Sequence, residues 1–181
     1  MLDLTRNYFE MFGLPVSFIV DSAALASHYR ELQRVVHPDR YAHGSAQEQR
    51  ESLQQATLVN EAYETLKDPL KRAQYLLQLH GIDMNAKQET TRDTAFLMQQ
   101  LELREALANA RQQDDPHATL DELMQQISGM IKKMVAQMAI QFENASPEQL
   151  EQARESVRKM QFLNKLHAEA EAVEAELEDI L

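Results

Sequence analysis

Cysteine is absent from the 181 residues. That excludes a disulfide framework, a thiolate zinc site and an iron–sulfur cluster held by the chain's own thiolates. Glycine and proline are scarce, at 4 and 5 residues. A chain so poor in turn formers, with few β-branched runs, does not read as a sandwich, a barrel or a doubly wound sheet. No run approaches the roughly 18 apolar residues of a membrane span. The opening Met1-Leu2-Asp3-Leu4-Thr5-Arg6 lacks the basic-then-apolar order of a signal peptide. Without cysteine as well, a reducing cytoplasm is the expected home. The chain does contain 44% hydrophobic and 26% charged residues, enough to bury a core and to argue against wholesale disorder.

The formal net charge is -11. Such a field repels phosphate backbones and disfavours nucleic-acid binding. The charge is uneven: residues 1–80 carry 8 Lys and Arg against 10 Asp and Glu, residues 81–181 carry 10 against 19. A step in charge density near residue 80 predicts two parts.

Helix punctuation runs the length of the chain. Tyr8 to Leu14 reads as one or two helical turns stopped by Gly13-Leu14-Pro15. Asp21 is an N-cap for a helix to about His37, with Leu25, Tyr29, Leu32 and Val36 on one face. Arg30, Arg34 and His37 project from a different side. Pro38 ends that helix, and Pro38 to Gly44 reads as a loop. Ser45 and Glu48 form a capping box for a helix to about Lys67, with Leu53, Ala56, Asn60 and Tyr63 on one face and Leu66 nearby. Leu70 to His80 is a shorter helix closed by Gly81. Ile82 to Arg92 has no apolar period and reads as a linker. Three further helices are expected: roughly Thr94 to Gln112, Thr119 to Glu143, and from the Ser146-Pro147-Gln149 start to near the C-terminus. The fold class is therefore all-α, a small four-helix domain followed by a three-helix bundle.

The sharpest local signal is His37-Pro38-Asp39, set between an amphipathic helix with an arginine side and a second helix. Pro38 fixes a backbone angle, Asp39 supplies a charge and an acceptor, and His37 completes the tip. Arg30 and Arg34 form a cationic strip suited to steering toward an acidic groove. On an isolated helix the arginines would be only a solvated face. His37 and Asp39 also fit a general-base pair, but no nucleophilic cysteine, G-x-S-x-G or glycine loop accompanies them. The spacings of His28, His37 and His43 match no standard metal site.

The arrangement of helix, His-Pro-Asp and helix resembles a J-domain, the module of DnaJ-type co-chaperones. More specific runs resemble the HscB branch of J-proteins. They are Tyr8-Phe9, Phe12-Gly13-Leu14-Pro15, Asn60-Glu61-Ala62-Tyr63, Arg72-Ala73 with Tyr75-Leu76-Leu77, His80-Gly81, and Arg92 to Met98 continued by Gln100 to Glu105. The resemblance covers residues 8–170 and implies a J-domain over 1–81, a linker over 82–92 and a scaffold-binding three-helix bundle over 93–181. It implies a co-chaperone rather than an enzyme, serving iron–sulfur cluster biogenesis. Such a protein carries the scaffold IscU to the DnaK-type ATPase HscA and stimulates its ATP hydrolysis, without a metal or cofactor of its own. His37, Pro38 and Asp39, with Arg30, Arg34 and Arg40, would engage the ATPase. Many J-proteins have lysine where Arg40 stands, so the charge is kept. Some HscB relatives carry an N-terminal extension with paired cysteines. This chain has none and resembles the bacterial form.

The first helix of the second part points to a partner site on its own terms. Phe96, Leu103 and Leu107 fall together, with Ala110 near them, enough to face a core. Leu97, Met98 and Leu101 point elsewhere, flanked by Glu102 and Glu105. Such a second stripe is either a docking surface or evidence of a central helix buried on both sides. The resemblance favours docking, and implies that Leu97, Met98, Leu101, Glu102, Arg104, Glu105 and Phe162 hold the scaffold. Met124, Met130, Met134 and Met138 read as adaptable core rather than a metal site. The six acidic residues from Glu169 onward read as a solvated end. Two rival readings are a J-protein for general unfolded clients and a structural helical protein with an incidental His-Pro-Asp.

Overall fold

Helix starts and stops in this chain are written in capping residues. The computed structural model describes residues 6–42, 44–84 and 93–178, and shows what the caps produce. The elements are α1 (Tyr8–Met11), α2 (Ser22–Val36), a 3-10 turn (Pro38–Tyr41), α3 (Ala46–Lys67), α4 (Pro69–Leu79), α5 (Thr94–Asn109), a 3-10 turn (Ala110–Gln112), α6 (Pro116–Asn144) and α7 (Pro147–Glu178). No strand occurs among the described residues, and none of their helices is long and apolar enough to cross a membrane. The chain divides into two compact units, Met1–His80 and Gly81–Leu181. His43, residues 85–92 of the expected linker and residues 179–181 of the acidic end lie outside the described residues.

In the first unit α1 is a single turn. Asn7 caps it by accepting from the Glu10 N–H, and Glu10 returns a bond to the Asn7 N–H, a capping box not anticipated from the sequence. Gly13 then takes a left-handed φ of 62°, which a side chain at that position would resist. Asp21 caps α2 through the Ala23 and Ala24 N–H groups, and Ser45 with Glu48 caps α3. The Ser45 hydrogen bonds hold the Glu48 carboxyl below its ordinary range.

The core face of α3 differs from the expected one. Ser52, Ala56, Val59, Ala62 and Leu66 are buried, while Leu53 is 60% exposed and Asn60 is exposed. The stripe turns by about one position because the small hydroxyl of Ser52, not the Leu53 side chain, meets α2. Its Oγ donates to the Val36 carbonyl at 2.8 Å. One of the last α2 carbonyls, which no further helical turn can satisfy, is thereby paired. The Ser52→Ala substitution strands that carbonyl and is expected to cost about 1–2 kcal/mol, read as a shift in the urea unfolding midpoint of the first unit.

Two aromatic stacks fix the hairpin and its flanking turn. Tyr29 of α2 stacks on Tyr63 of α3 at 4.0 Å, and its hydroxyl donates to Asn60 Oδ1 at 2.9 Å. Pairing of 29 with 60 and 63, and of 36 with 52, makes α2 and α3 antiparallel. Tyr8 stacks on Tyr75 of α4 at 4.4 Å, and its hydroxyl donates to Glu61 at 3.0 Å. Burial, followed by the Glu61 bond and charge, pushes the Tyr8 phenol up to about 12. A phenol raised in the folded state contributes stability that is complete below the unfolded value near 10 and is lost as pH rises through about 12. Absorbance titration at alkaline pH should therefore show one of the five tyrosines ionising last, together with unfolding. The Tyr8→Phe variant removes that phase.

The second unit is an up–down–up bundle. α7 runs antiparallel to α6, since Ser128 meets His167 and Gln141 accepts from Ser156. It runs parallel to α5, since Asp93 meets Lys159, Phe96 meets Phe162 and Arg111 pairs with Glu176. Asp115 caps α6 and Pro116 occupies its first turn, so this helix begins three residues before the expected Thr119. Its core is Phe96, Leu103, Leu123, Ile127, Leu163 and Leu166, with Met130, Ile131 and Met134 packed against it and Met138 fully buried. The methionines are thus core and core-flanking, as helical spacing implied.

Candidate functional site

The tip of the α2–α3 hairpin is built by capturing carbonyls where α2 ends. His37 leaves the helix at φ -58°, ψ 126°, an extended conformation that the following proline favours. Pro38-Asp39-Arg40-Tyr41 then forms a 3-10 turn rather than an irregular loop, a correction to the expected loop. Proline at the first position lacks only an N–H that such a turn leaves unpaired. The Arg40 N–H donates to the His37 carbonyl at 3.1 Å, and the Arg40 guanidinium donates to the Arg34 carbonyl at 3.1 Å. With Ser52 on Val36, the carbonyls of Arg34, Val36 and His37 are tied down. The tip is a rigid corner, and its charge sits at the negative end of the α2 dipole.

On that corner the Asp39 N–H donates to His37 Nδ1 at 3.3 Å, which places any proton of the neutral ring on Nε2. The Asp39 carboxylate lies 3.6 Å from the same nitrogen. The backbone bond uses the neutral ring, and an ion pair there would need Nδ1 protonated, so the two contacts are alternatives. Both side chains face solvent, His37 at 52% and Asp39 at 91%. Arg30 and Arg34, one turn apart on α2, are exposed. The structure brings Arg34, His37, Pro38, Asp39 and Arg40 to one corner, with Arg30 a turn further along. Arg40 is exposed, and one nitrogen of its guanidinium reaches back to α2. His28, weighed as a ligand, donates from Nδ1 to the Phe12 carbonyl at 2.6 Å. Among the described residues no group of three or more potential ligand side chains could hold a metal ion. The positioning residue that sequence reasoning missed here is Ser52, buried under the corner: a serine on an otherwise apolar face is the signal that could have found it.

The second surface lies on α5. Phe96, Leu103 and Ala110 are buried and Leu107 half-buried, the expected core face. Leu97, Met98 and Leu101 are 38%, 57% and 52% exposed. At about 100° per residue they lie roughly half a turn from the core stripe. The alternative of a helix buried on both sides therefore does not hold. Glu102, Arg104 and Glu105 are exposed on the same side. Phe162 stands apart: it is half-buried, meets Phe96 edge-on at 6.0 Å, and joins the strip through the Arg104 guanidinium 5.3 Å above its ring. Asp93 caps α5 and binds Lys159 at 2.5 Å. The Lys159 bond, followed by the Phe96 N–H, holds the Asp93 carboxyl below its usual range.

Residues 7–75 match the family model described as the DnaJ domain, and residues 92–171 match that described as the HSCB C-terminal oligomerisation domain. A rigid helical hairpin with His-Pro-Asp at its corner, in a chain that matches the DnaJ domain there, defines a J-domain co-chaperone. The curated co-chaperone protein HscB homolog of Shewanella amazonensis is 44% identical over 96% of this chain and 99% of its own length. The solved structure of chaperone HscB from Vibrio cholerae superposes with a TM-score of 0.82 at 42% identity, covering 95% of this chain and 99% of that one. Human co-chaperone protein HscB gives 0.86 at 33% identity, over 95% and 84%. The chain belongs to the HscB family of J-domain co-chaperones.

Proposed function

We propose that this protein is a bivalent adaptor of iron–sulfur cluster biogenesis, acting in the cytoplasm. Its J-domain, residues 1–81, engages the DnaK-type chaperone HscA through Arg30, Arg34, His37, Pro38, Asp39 and Arg40, and stimulates ATP hydrolysis by that partner. Its bundle, residues 93–181, beyond the linker 82–92, holds the scaffold IscU on Leu97, Met98, Leu101, Glu102, Arg104, Glu105 and Phe162. The observation that supports the reading best is the exposure of Leu97, Met98 and Leu101 opposite the buried face of the same helix. Apolar side chains concentrated on one solvent face mark an interaction surface. The cluster travels as cargo on the scaffold, because this chain has no cysteine to bind it.

The adaptor does no chemistry itself. It biases its partner's conformational equilibrium by binding one state of that ATPase better than the other. Delivery of the scaffold by the same molecule raises the effective concentration of client at the chaperone. The test is steady-state ATP hydrolysis by the partner chaperone with this protein, with scaffold, and with both. The adaptor reading expects more stimulation from both together than from the two separate effects combined. Stimulation indifferent to scaffold supports instead a J-protein for general unfolded clients. No stimulation by folded components removes the reading.

A further inference from the structure

Next to the exposed strip the second unit carries a groove of about 520 Å³ between α5, α6 and Lys159 of α7. Phe96, Met98, Met130 and Met134 line it with apolar surface, and Asp93, Glu102, Lys133 and Lys159 supply its charged groups. Met130 and Met134 are half-buried against the core. Thioether side chains adapt to the shape of an incoming group, as a docking pocket requires. The charges are not equivalent. Asp93 and Lys159 bind each other, and Lys159 also lies 5.3 Å over the Phe96 ring. Lys133 is exposed and forms no ion pair with the described residues.

We propose that this groove takes an aliphatic side chain of the scaffold partner followed closely by a carboxylate, the chain seating on the methionines and the carboxylate pairing with Lys133. The inference rests on the docking reading of the α5 strip given above. Met98 and Glu102 belong to both surfaces, so one partner segment covers them together. Charge complementarity selects the occupant. The unit carries 10 Lys and Arg against 19 Asp and Glu, so the Glu102 and Glu105 side of the strip calls for a basic partner surface. Of the two lysines that line the groove, Lys159 is held by Asp93, so Lys133 admits one acid there, and a segment with its acid elsewhere loses that pair.

The affinity of the full chain for the scaffold by calorimetry, at low and high salt, tests this. Lys133→Glu is expected to weaken binding about ten-fold at low salt and less at high salt, and Lys133→Arg to preserve it. Met134→Gln, checked for an unchanged melting temperature, is expected to weaken binding at both salts. If Leu101→Ala weakens binding but Lys133→Glu does not, the groove inference fails and the docking reading stands. If neither changes affinity, both fail. If sedimentation shows instead that two copies of this chain cover the groove and Lys133→Glu separates them, the occupant is a second copy and the proposal is overturned.

Discussion

The His37→Gln variant is expected to lose the stimulation of the partner ATPase, by roughly one to two orders of magnitude, while folding as the parent does. The ring is half exposed and caps only the short 3-10 turn through the Asp39 N–H, so its replacement is expected to change stability by about 1 kcal/mol or less. What it removes is specific. Nδ1 accepts the Asp39 N–H at 3.3 Å and aims the opposite ring edge outward. Glutamine cannot hold that bond and present a second nitrogen in the same direction. Loss of one hydrogen bond to a charged group of the partner, at about 1.5–3 kcal/mol, corresponds to the stated loss. Asp39→Asn should behave alike, since its carboxylate is almost wholly exposed. The measurement is the chaperone's steady-state hydrolysis rate, with thermal melting by circular dichroism as the control for folding. An undiminished rate with His37→Gln would mean that the corner is not the ATPase contact.

The second large effect is expected from Leu97→Ala combined with Leu101→Ala. Both side chains are solvent-facing in the free protein, so truncation leaves no cavity and little change in stability. If the partner buries them, each loses about 1–2 kcal/mol of apolar burial, and together they weaken scaffold binding about a hundred-fold. Residual stimulation of the ATPase by the J-domain alone should persist. Phe96→Ala, one residue from Leu97 but turned into the core, gives the opposite pattern: about 3–5 kcal/mol of stability lost. Calorimetric titration and urea unfolding on both variants separate the two faces of one helix. Unchanged scaffold binding in the double variant would remove the docking assignment for this strip.

Much of the fold is legible because it is punctuated locally. Asp21, the Ser45–Glu48 box, Pro38 and Gly81 each act within a few residues, and their effects follow from cap chemistry alone. Core assignment on α5 also follows, since its two apolar stripes are separated by about half a turn. What escapes is set by tertiary partners. Ser52 is buried because a carbonyl of another helix needs a donor, and Leu53 is exposed because its neighbour takes the core position. The 3-10 turn at Pro38 closes through the Arg40 N–H on the His37 carbonyl, while the Arg40 side chain finds an acceptor on Arg34 that spacing does not single out. At the site, His37-Pro38-Asp39 is a motif visible in one dimension. The groove beside Met98 is not, because Met130, Lys133 and Lys159 come from two helices that sequence spacing does not relate to α5.

The Asp93–Lys159 bond bears on how the bundle carries load. Asp93 is at once the cap of α5, through the Phe96 N–H at 3.1 Å, and the partner of a lysine midway along α7. A pull on the chain arriving at this residue is divided at its first point of entry between two parallel helices. Neither is drawn out alone. Detaching α5 end-first requires breaking a helix cap and an inter-helix ion pair together, so force resistance at this end exceeds what a single frayed turn would offer. The strip from Leu97 to Glu105 begins one turn beyond that anchor. Its spacing is thus set from the pinned end of the helix.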